Sequence, residues 1–313
     1  MKISFIFAGQ GQQFQNMGID LIDAFVEVKD IFNQASSILD YDLVSVCQDE
    51  NKLAQTIYTQ PALLTLDYAI AYLLNKNGIN PDCVAGLSLG EYNALIEAKT
   101  LTFEDGLKII KERAYIMDNA LEKNSSSMAA VLKADLKTIN EVLDSPCLNG
   151  EVAICNYNTY EQIVIGGSTS KLEQACNMLK EKGVKRVIPL KVSTVSHMHL
   201  LNDAAKKLNT VLSNFNFKKP EISFINNVAG VYQEDDFVKT LTKQIESSTY
   251  MAQTIELMLN DGIDTFIEVG PKNTISAFVK SIAKTLNKEV KIYNVYDLKT
   301  FKDTLKELGE SNE

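Results

Sequence analysis

A serine stands between two glycines where a strand must turn directly into a helix. Gly86-Leu87-Ser88-Leu89-Gly90 follows the short apolar run Cys83-Val84-Ala85 and opens a helical stretch from about Leu89 to Ala98. A strand that turns straight into a helix commits the chain to helices packed on a sheet. Two readings of Ser88 are open here. Ser88 and Glu91 form S-x-x-E, a capping box, in which the serine only closes a helix end. Alternatively, the G-x-S-x-G turn exposes the hydroxyl as a nucleophile, with the positive end of the helix beside the developing oxyanion. The strand before, the helix after and the flanking glycines favour the second.

The rest of the chain keeps the strand-and-helix alternation. Residues 3–7 read as a buried strand ending at Gly9-Gln10-Gly11. Helical periodicity covers 20–39 and 59–76, with Pro61 placed near the start of the second, where a missing N–H loses no partner. Thr102 and Asp105 cap a helix running to about Leu121. After the polar linker 124–127 the pattern changes. A strand at 128–132, a helix at 136–143, strands at 152–156 and 162–166, and a helix at 169–182 stopped by Gly183 lead to an alternating stretch, 185–192. In that stretch Ile188, Leu190 and Val192 share a face. This β-α-β-β-α-β order is the split unit of ferredoxin-like domains. Beyond 195 come a helix at 199–215, a strand at 222–225, a mostly helical 235–258 and a strand at 265–269 closed by Gly270-Pro271; residues 309–313 read as a frayed tail. The expected fold class is α/β. An α/β-hydrolase-like large domain spans 1–124 and 196–313, with an inserted ferredoxin-like small domain at 125–195.

Composition narrows the function. A net charge of −9 argues against a general basic surface for nucleic acid or anionic membrane. No run approaches the ~18 apolar residues of a membrane span, and the N-terminal apolar stretch is too short for a signal peptide, so a cytoplasmic monomer is expected. The five cysteines include no CxxC pair, and with two histidines in the chain a metal site has little to draw on. They read as reduced thiols, and no metal or redox cofactor is expected.

Gly86-Leu87-Ser88-Leu89-Gly90-Glu91-Tyr92 closely resembles the active-site segment of bacterial malonyl-CoA:acyl carrier protein transacylases. The resemblance continues in order along the chain. Phe7-Ala8-Gly9-Gln10-Gly11-Gln12-Gln13 resembles the family's F-P-G-Q-G-x-Q start, with Ala8 in place of the proline. Thr59-Gln60-Pro61-Ala62 is similar to its T-Q-P-A segment, Ser196-His197 falls at its histidine, and Glu268-Val269-Gly270-Pro271 at its E-x-G-P strand end. The resemblance implies an acyltransferase that moves malonyl from coenzyme A to acyl carrier protein through a Ser-His dyad, Ser88 and His197. It implies an oxyanion hole from the Gln10 and Leu89 N–H groups. It assigns His197 a backbone carbonyl, at Gln244, as its orienting partner. The family's following proline is absent here, and Met251 stands where the family has an aromatic residue or arginine. His199 reads as structural.

Arg113 bears on the substrate. Within the apolar stripe Phe103, Leu107, Ile110, Ala114, Met117 and Leu121 it points about 40° from Met117, so it faces inward. Residue by residue, a snorkelling arginine or a distant salt bridge stays open. The resemblance places the family's carboxylate-binding arginine here, where a malonyl carboxylate would meet a planar fork. Gln60 and Asn156 are expected to line the same pocket. Lys180, Lys182, Lys185 and Arg186 are candidates for a rim that docks an acidic carrier protein, and a merely solvated face is the alternative. A serine hydrolase would share the nucleophile but needs neither Arg113 nor the inserted unit. A noncatalytic carrier-binding scaffold needs neither Ser88 nor His197. An acyltransferase supplying polyketide carrier domains would carry the same motifs.

Overall fold

The computed structural model describes residues 1–190, 192 and 194–309. Among these residues nine strands form two sheets. The first is parallel, from β1 (Ile3–Phe7), β2 (Cys83–Gly86), β7 (Ser223–Phe224), β8 (Thr265–Val269) and β9 (Lys291–Val295), in the order β7-β2-β1-β8-β9. The second is antiparallel, from β3 (Ser126–Leu132), β4 (Val152–Thr159), β5 (Gln162–Ser168) and β6 (Arg186–Pro189), in the order β4-β5-β3-β6. With two helices between its strands, this is the ferredoxin-like arrangement expected from the element order. The α/β fold class stands.

Strands β1, β2 and β8 are buried along their whole length. That is why they read as unbroken apolar runs: helices cover both faces of a parallel sheet. Phe7 pairs with Gly86 on one side and Val269 on the other, so the three strands end level. The chain segments leaving them, Ala8–Gln10, Leu87–Ser88 and Gly270, therefore gather at one sheet edge. This is where open α/β sheets hold their ligands.

Several expected elements change. The stretch 20–39 is two helices, Ile19–Ala24 and Val26–Leu39, broken by extended backbone at Phe25, whose ring packs edge-on against Phe301. The helix carrying Pro61 starts at Thr56, so the proline is internal and removes the donor that the Ile57 carbonyl would meet; it is not at a free first turn. The strand expected at 128 begins at Ser126 inside the supposed linker, and the helix carrying Arg113 ends at Asp118. Residues 199–215 become a 3-10 turn, His199–Leu201, and a helix, Asn202–Leu212. The stretch 235–258 splits into Phe237–Glu246 and Met251–Asn260. The break has a tertiary cause: Thr249 N–H donates to Cys155 O (2.9 Å) and Thr249 O accepts from Tyr157 N–H (2.8 Å), a one-residue parallel bridge on the edge of β4. Sequence reading left unassigned the helices Leu43–Gln48, Glu50–Leu53, Thr274–Thr285 and Leu298–Gly309, and strand β9. Gly309 closes the last of these helices, and the remainder of the supposed frayed tail, 310–313, lies outside the described residues. Among the described residues no helix is long and apolar enough to cross a membrane.

Candidate active site

The turn from β2 into the helix Gly90–Glu97 places Ser88 at φ +54°, a left-handed backbone that non-glycine residues seldom adopt. The flanking glycines are there for contact. A Cβ on Gly86 would stand 2.0 Å from Gly90 C, and one on Gly90 would stand 2.3 Å from Phe7 O. Any side chain would push the turn off β1. The capping box does not form. Leu89 is the N-cap, with no side-chain bond, and the Ser88 N–H donates to Asn227 Oδ1 (2.6 Å). Glu91 turns away from Ser88 to accept from the Asn227 N–H (3.1 Å) and from Gln244 Nε2. Ser88 Oγ is thus released for other partners.

Two groups meet that oxygen. His197 Nε2 lies 2.9 Å away and Arg113 Nη2 donates across 3.1 Å. His197 Nδ1 is 2.7 Å from Gln244 O, a pure acceptor, so Nδ1 carries the proton and Nε2 receives the Ser88 hydroxyl. The His197 backbone N–H also donates to Ile245 O (3.0 Å). Both acceptors are terminal carbonyls of the helix Phe237–Glu246, whose negative end favours an imidazolium when one forms. His197 itself has φ +62°, so both reacting residues sit in strained backbone. Burial pushes its imidazole down to about 4, against the pull of the Gln244 carbonyl, and Arg113 adds to the lowering. At neutral pH the ring is neutral, with Nε2 free to act as a base.

Arg113 is 1% exposed, so it neither snorkels nor reaches a surface acid. Nη1 donates to Gln60 Oε1 (2.7 Å), and Nη2 is shared between Ser88 Oγ and Gln244 Oε1 (3.1 Å). Its carbon lies 5.5 Å from the centre of the Tyr92 ring. Burial lowers its pKa, yet a guanidinium starts so far above neutrality that it keeps its charge. Among the described residues no carboxylate stands within 4 Å of it.

These groups open on a cavity of about 290 Å3 lined from both sheets, by Ser88, Arg113 and His197 on one side and Met128, Asn156 and Val164 on the other. The Gln10 loop lies at the same cavity, against the turn, because the Leu87 N–H donates to Phe7 O (3.1 Å). Ala8, in the place of a proline, has an N–H, and it extends the ladder to Val269 O (3.0 Å). Gln60 is not at the cavity wall as expected. It is fully buried behind Arg113 and donates to Gln10 Oε1 (3.1 Å). Asn156 does line the cavity, but its amide is tied to Thr249 Oγ1 (2.7 Å). His199 is exposed and apart. Lys180, Lys185 and Arg186 are exposed, while Lys182 pairs with Glu141 (2.8 Å). Sequence reasoning missed Asn227 and the part Glu91 takes. An asparagine closing a strand at the level of the serine turn was the available signal.

Comparison with known proteins gives the family. The acyl transferase domain family matches residues 4–300. The malonyl CoA-acyl carrier protein transacylase of Bacillus subtilis is 35% identical over 317 residues, covering all of this chain and 99% of that protein. The solved malonyl CoA-acyl carrier protein transacylase of Clostridium perfringens superposes with a TM-score of 0.94 at 37% identity, over 100% of this chain and 98% of that one. A malonyl-transacylase solved in complex with a type II PKS acyl-carrier protein gives 0.93 at 30% identity, over 98% and 100% of the two chains. A half-buried serine, with a buried imidazole and a buried guanidinium converging on the same cavity, and full-length likeness to these enzymes, make this chain a member of the malonyl-CoA:acyl carrier protein transacylase family of acyltransferases.

Proposed function

We propose that the chain transfers a malonyl group from malonyl-CoA to the phosphopantetheine thiol of acyl carrier protein in two steps, for fatty acid biosynthesis in the cytoplasm. The observation that carries this reading is Arg113, a buried cation hydrogen-bonded only to neutral oxygens. A buried charge with no anion in contact is costly, and Glu91 acts on this one only from a distance. A malonyl carboxylate entering the cavity supplies the missing anion, and an acetyl group does not.

In the first step His197 Nε2 takes the Ser88 proton as Oγ attacks the thioester carbonyl. The N–H groups of Leu89 and Gln10 hold the oxyanion; each such donor is worth about 3 kcal/mol in acyl transfer. The C–S bond breaks, the coenzyme A sulfur leaves with the proton from His197, and malonyl-Ser88 remains. In the second step His197 takes the proton of the carrier thiol, whose sulfur attacks the ester, and returns a proton to Ser88 Oγ. The Gln244 carbonyl holds the ring throughout. A malonyl carboxylate that draws Arg113 toward itself frees Ser88 Oγ of one donor and so favours acylation by malonyl over acetyl. Polyketide carrier domains remain a second reading, favoured by the structural neighbour solved with a PKS carrier.

Incubation with equal malonyl-CoA and acetyl-CoA followed by intact-mass measurement tests the reading. One malonyl adduct is expected, discharged by phosphopantetheinylated carrier protein faster than by water. No adduct, an adduct surviving Ser88→Ala, or discharge mainly to water would overturn it. Fatty-acid and polyketide carriers assayed side by side decide the pathway.

A further inference from the structure

Glu91 is fully buried beneath the serine turn, and the two-step scheme leaves it without a part. Its surroundings form a one-way chain of hydrogen bonds. The Asn227 N–H donates to Glu91 Oε1 (3.1 Å), and Gln244 Nε2 donates to Glu91 Oε2. Gln244 Nε2 also donates to Ser88 O (2.9 Å), and Gln244 Oε1 accepts from Arg113 Nη2 (3.1 Å). The direction of every link follows from chemistry. A backbone N–H and a guanidinium only donate, and a backbone carbonyl only accepts. Burial raises the Glu91 carboxyl to about 7, against the pull of the Gln244 and Asn227 donors and of Arg113, and above that value its ionised form only accepts. The Gln244 amide therefore has one satisfactory orientation, with its NH2 held between Glu91 and the Ser88 carbonyl and its oxygen facing Arg113.

We propose that Glu91 is a positioning residue for substrate choice: acting through the Gln244 amide, it holds the Arg113 fork where a substrate carboxylate meets it. This rests on the reading of Arg113 given above. Exchanging one carboxylate oxygen for an NH2 group breaks the chain. In Glu91→Gln the new amide must keep its oxygen on the Asn227 N–H, because a backbone donor cannot turn. Its NH2 then faces Gln244. The Gln244 amide cannot rotate to meet it without turning its oxygen onto Ser88 O and its NH2 onto the guanidinium, so it is displaced instead, and its Oε1 moves off Arg113 Nη2. Arg113 loses its anchor beside Ser88 while the Gln244 main-chain carbonyl still holds His197.

Glu91→Gln, Arg113→Ala and Gln244→Leu, each in the full-length chain, are compared for kcat and KM with malonyl-CoA and acetyl-CoA, with phosphopantetheinylated carrier protein as acceptor. For Glu91→Gln the malonyl-to-acetyl ratio of kcat/KM is expected to fall about tenfold, chiefly through the KM for malonyl-CoA. Gln244→Leu should give the same fall and carries the test if Glu91→Gln does not fold. The double variant should add nothing to either. An unchanged ratio in both single variants, or an equal loss on both substrates, overturns the proposal, since a merely structural role moves both together. If Arg113→Ala also leaves the ratio unchanged, it is the reading of Arg113 that has failed. A changed ratio in Arg113→Ala alone removes Glu91 and nothing else.

Discussion

The two sheets differ most in what they bury. Around the parallel sheet lie Asp67, Glu91, Glu97, Arg113, His197 and Glu268, each less than a tenth exposed. Within residues 126–190, which hold the antiparallel sheet, no Asp, Glu, Lys, Arg or His is buried; its core is Val131, Val152, Ile165, Leu172 and their apolar neighbours. Burying ionisable groups costs stability unless each is paired. The molecule concentrates that cost on the side where its nucleophile stands. The antiparallel sheet supplies a wall of neutral side chains to the same cavity. Chemistry and shape are thus assigned to different sheets, and the short pairing of Thr249 with β4 joins them.

The largest expected effects fall on the charged side. Ser88→Ala should abolish malonyl labelling. His197→Ala should slow transfer about 10^3- to 10^4-fold, as loss of a general base does in serine enzymes. Rapid-quench acylation measures both, and near-normal turnover in His197→Ala would dissolve the dyad. Next comes Asn227→Ala. One amide holds both sides of the turn, accepting from the Ser88 N–H and donating to Gly86 O, each at 2.6 Å. Two such bonds contribute about 2 kcal/mol, of the same order as the roughly 1–3 kcal/mol of strain at a left-handed residue such as Ser88. Without them the turn relaxes. A fall in kcat of about 10- to 100-fold is expected, with KM little changed; an unchanged kcat would show that the glycines alone hold the serine.

What could be read from the sequence follows the same division. Strands β1, β2 and β8 announce themselves because a buried parallel strand is an apolar run ended by glycine. The inserted unit shows through its element order, and Arg113 shows as a charge at an inward helical position. The wiring did not show. Asn227 meets Ser88 across 139 residues and Gln244 meets Arg113 across 131, distances no local pattern spans. Ser88 and Glu91 make the opposite point: S-x-x-E is a sound local signal that a tertiary partner overrode. Gln60, expected at the pocket wall, sits one layer deeper, behind the guanidinium it supports. The break at 247–250 is likewise set by β4, far away in the chain.

A milder effect is expected from the neutral wall. Asn156→Ala removes the tie to Thr249 Oγ1 (2.7 Å) and one polar group from the cavity. KM for malonyl-CoA should rise a few-fold, with kcat within about twofold of the parent. A drop in kcat rivalling that of Asn227→Ala would break the comparison, because the antiparallel sheet would then take part in the chemistry.

The smallest effect tests whether buried charge is a cost even where no chemistry uses it. Asp67 is fully buried on the helix Thr56–Lys76, and neither carboxyl oxygen accepts a hydrogen bond among the described residues. It is pressed against the chain: a Cβ on Gly270 would stand 2.5 Å from Asp67 Oδ1. Burial, with the nearby Glu268 second, raises its pKa well above the carboxylate range. Glu268 differs because the Ile275 and Ser276 N–H groups support its oxygens (3.0 and 2.7 Å). A carboxyl whose folded pKa is raised contributes its stability fully below the unfolded value, about 3.9, and loses it as pH climbs toward the folded value. An asparagine side chain at this position cannot be ionised in either state, so the comparison with Asp67→Asn isolates this contribution. The melting temperatures of Asp67→Asn and the parent should coincide near pH 4. The variant should then lead by at least about 3 °C at pH 7.5, since each unit of upward shift costs about 1.4 kcal/mol at roughly 2–4 °C per kcal/mol, with transfer activity unchanged. A lead already complete at pH 4 would assign the gain to packing, and a loss at pH 7.5 would mean that the buried carboxylate is paired and belongs with the working charges of the parallel sheet.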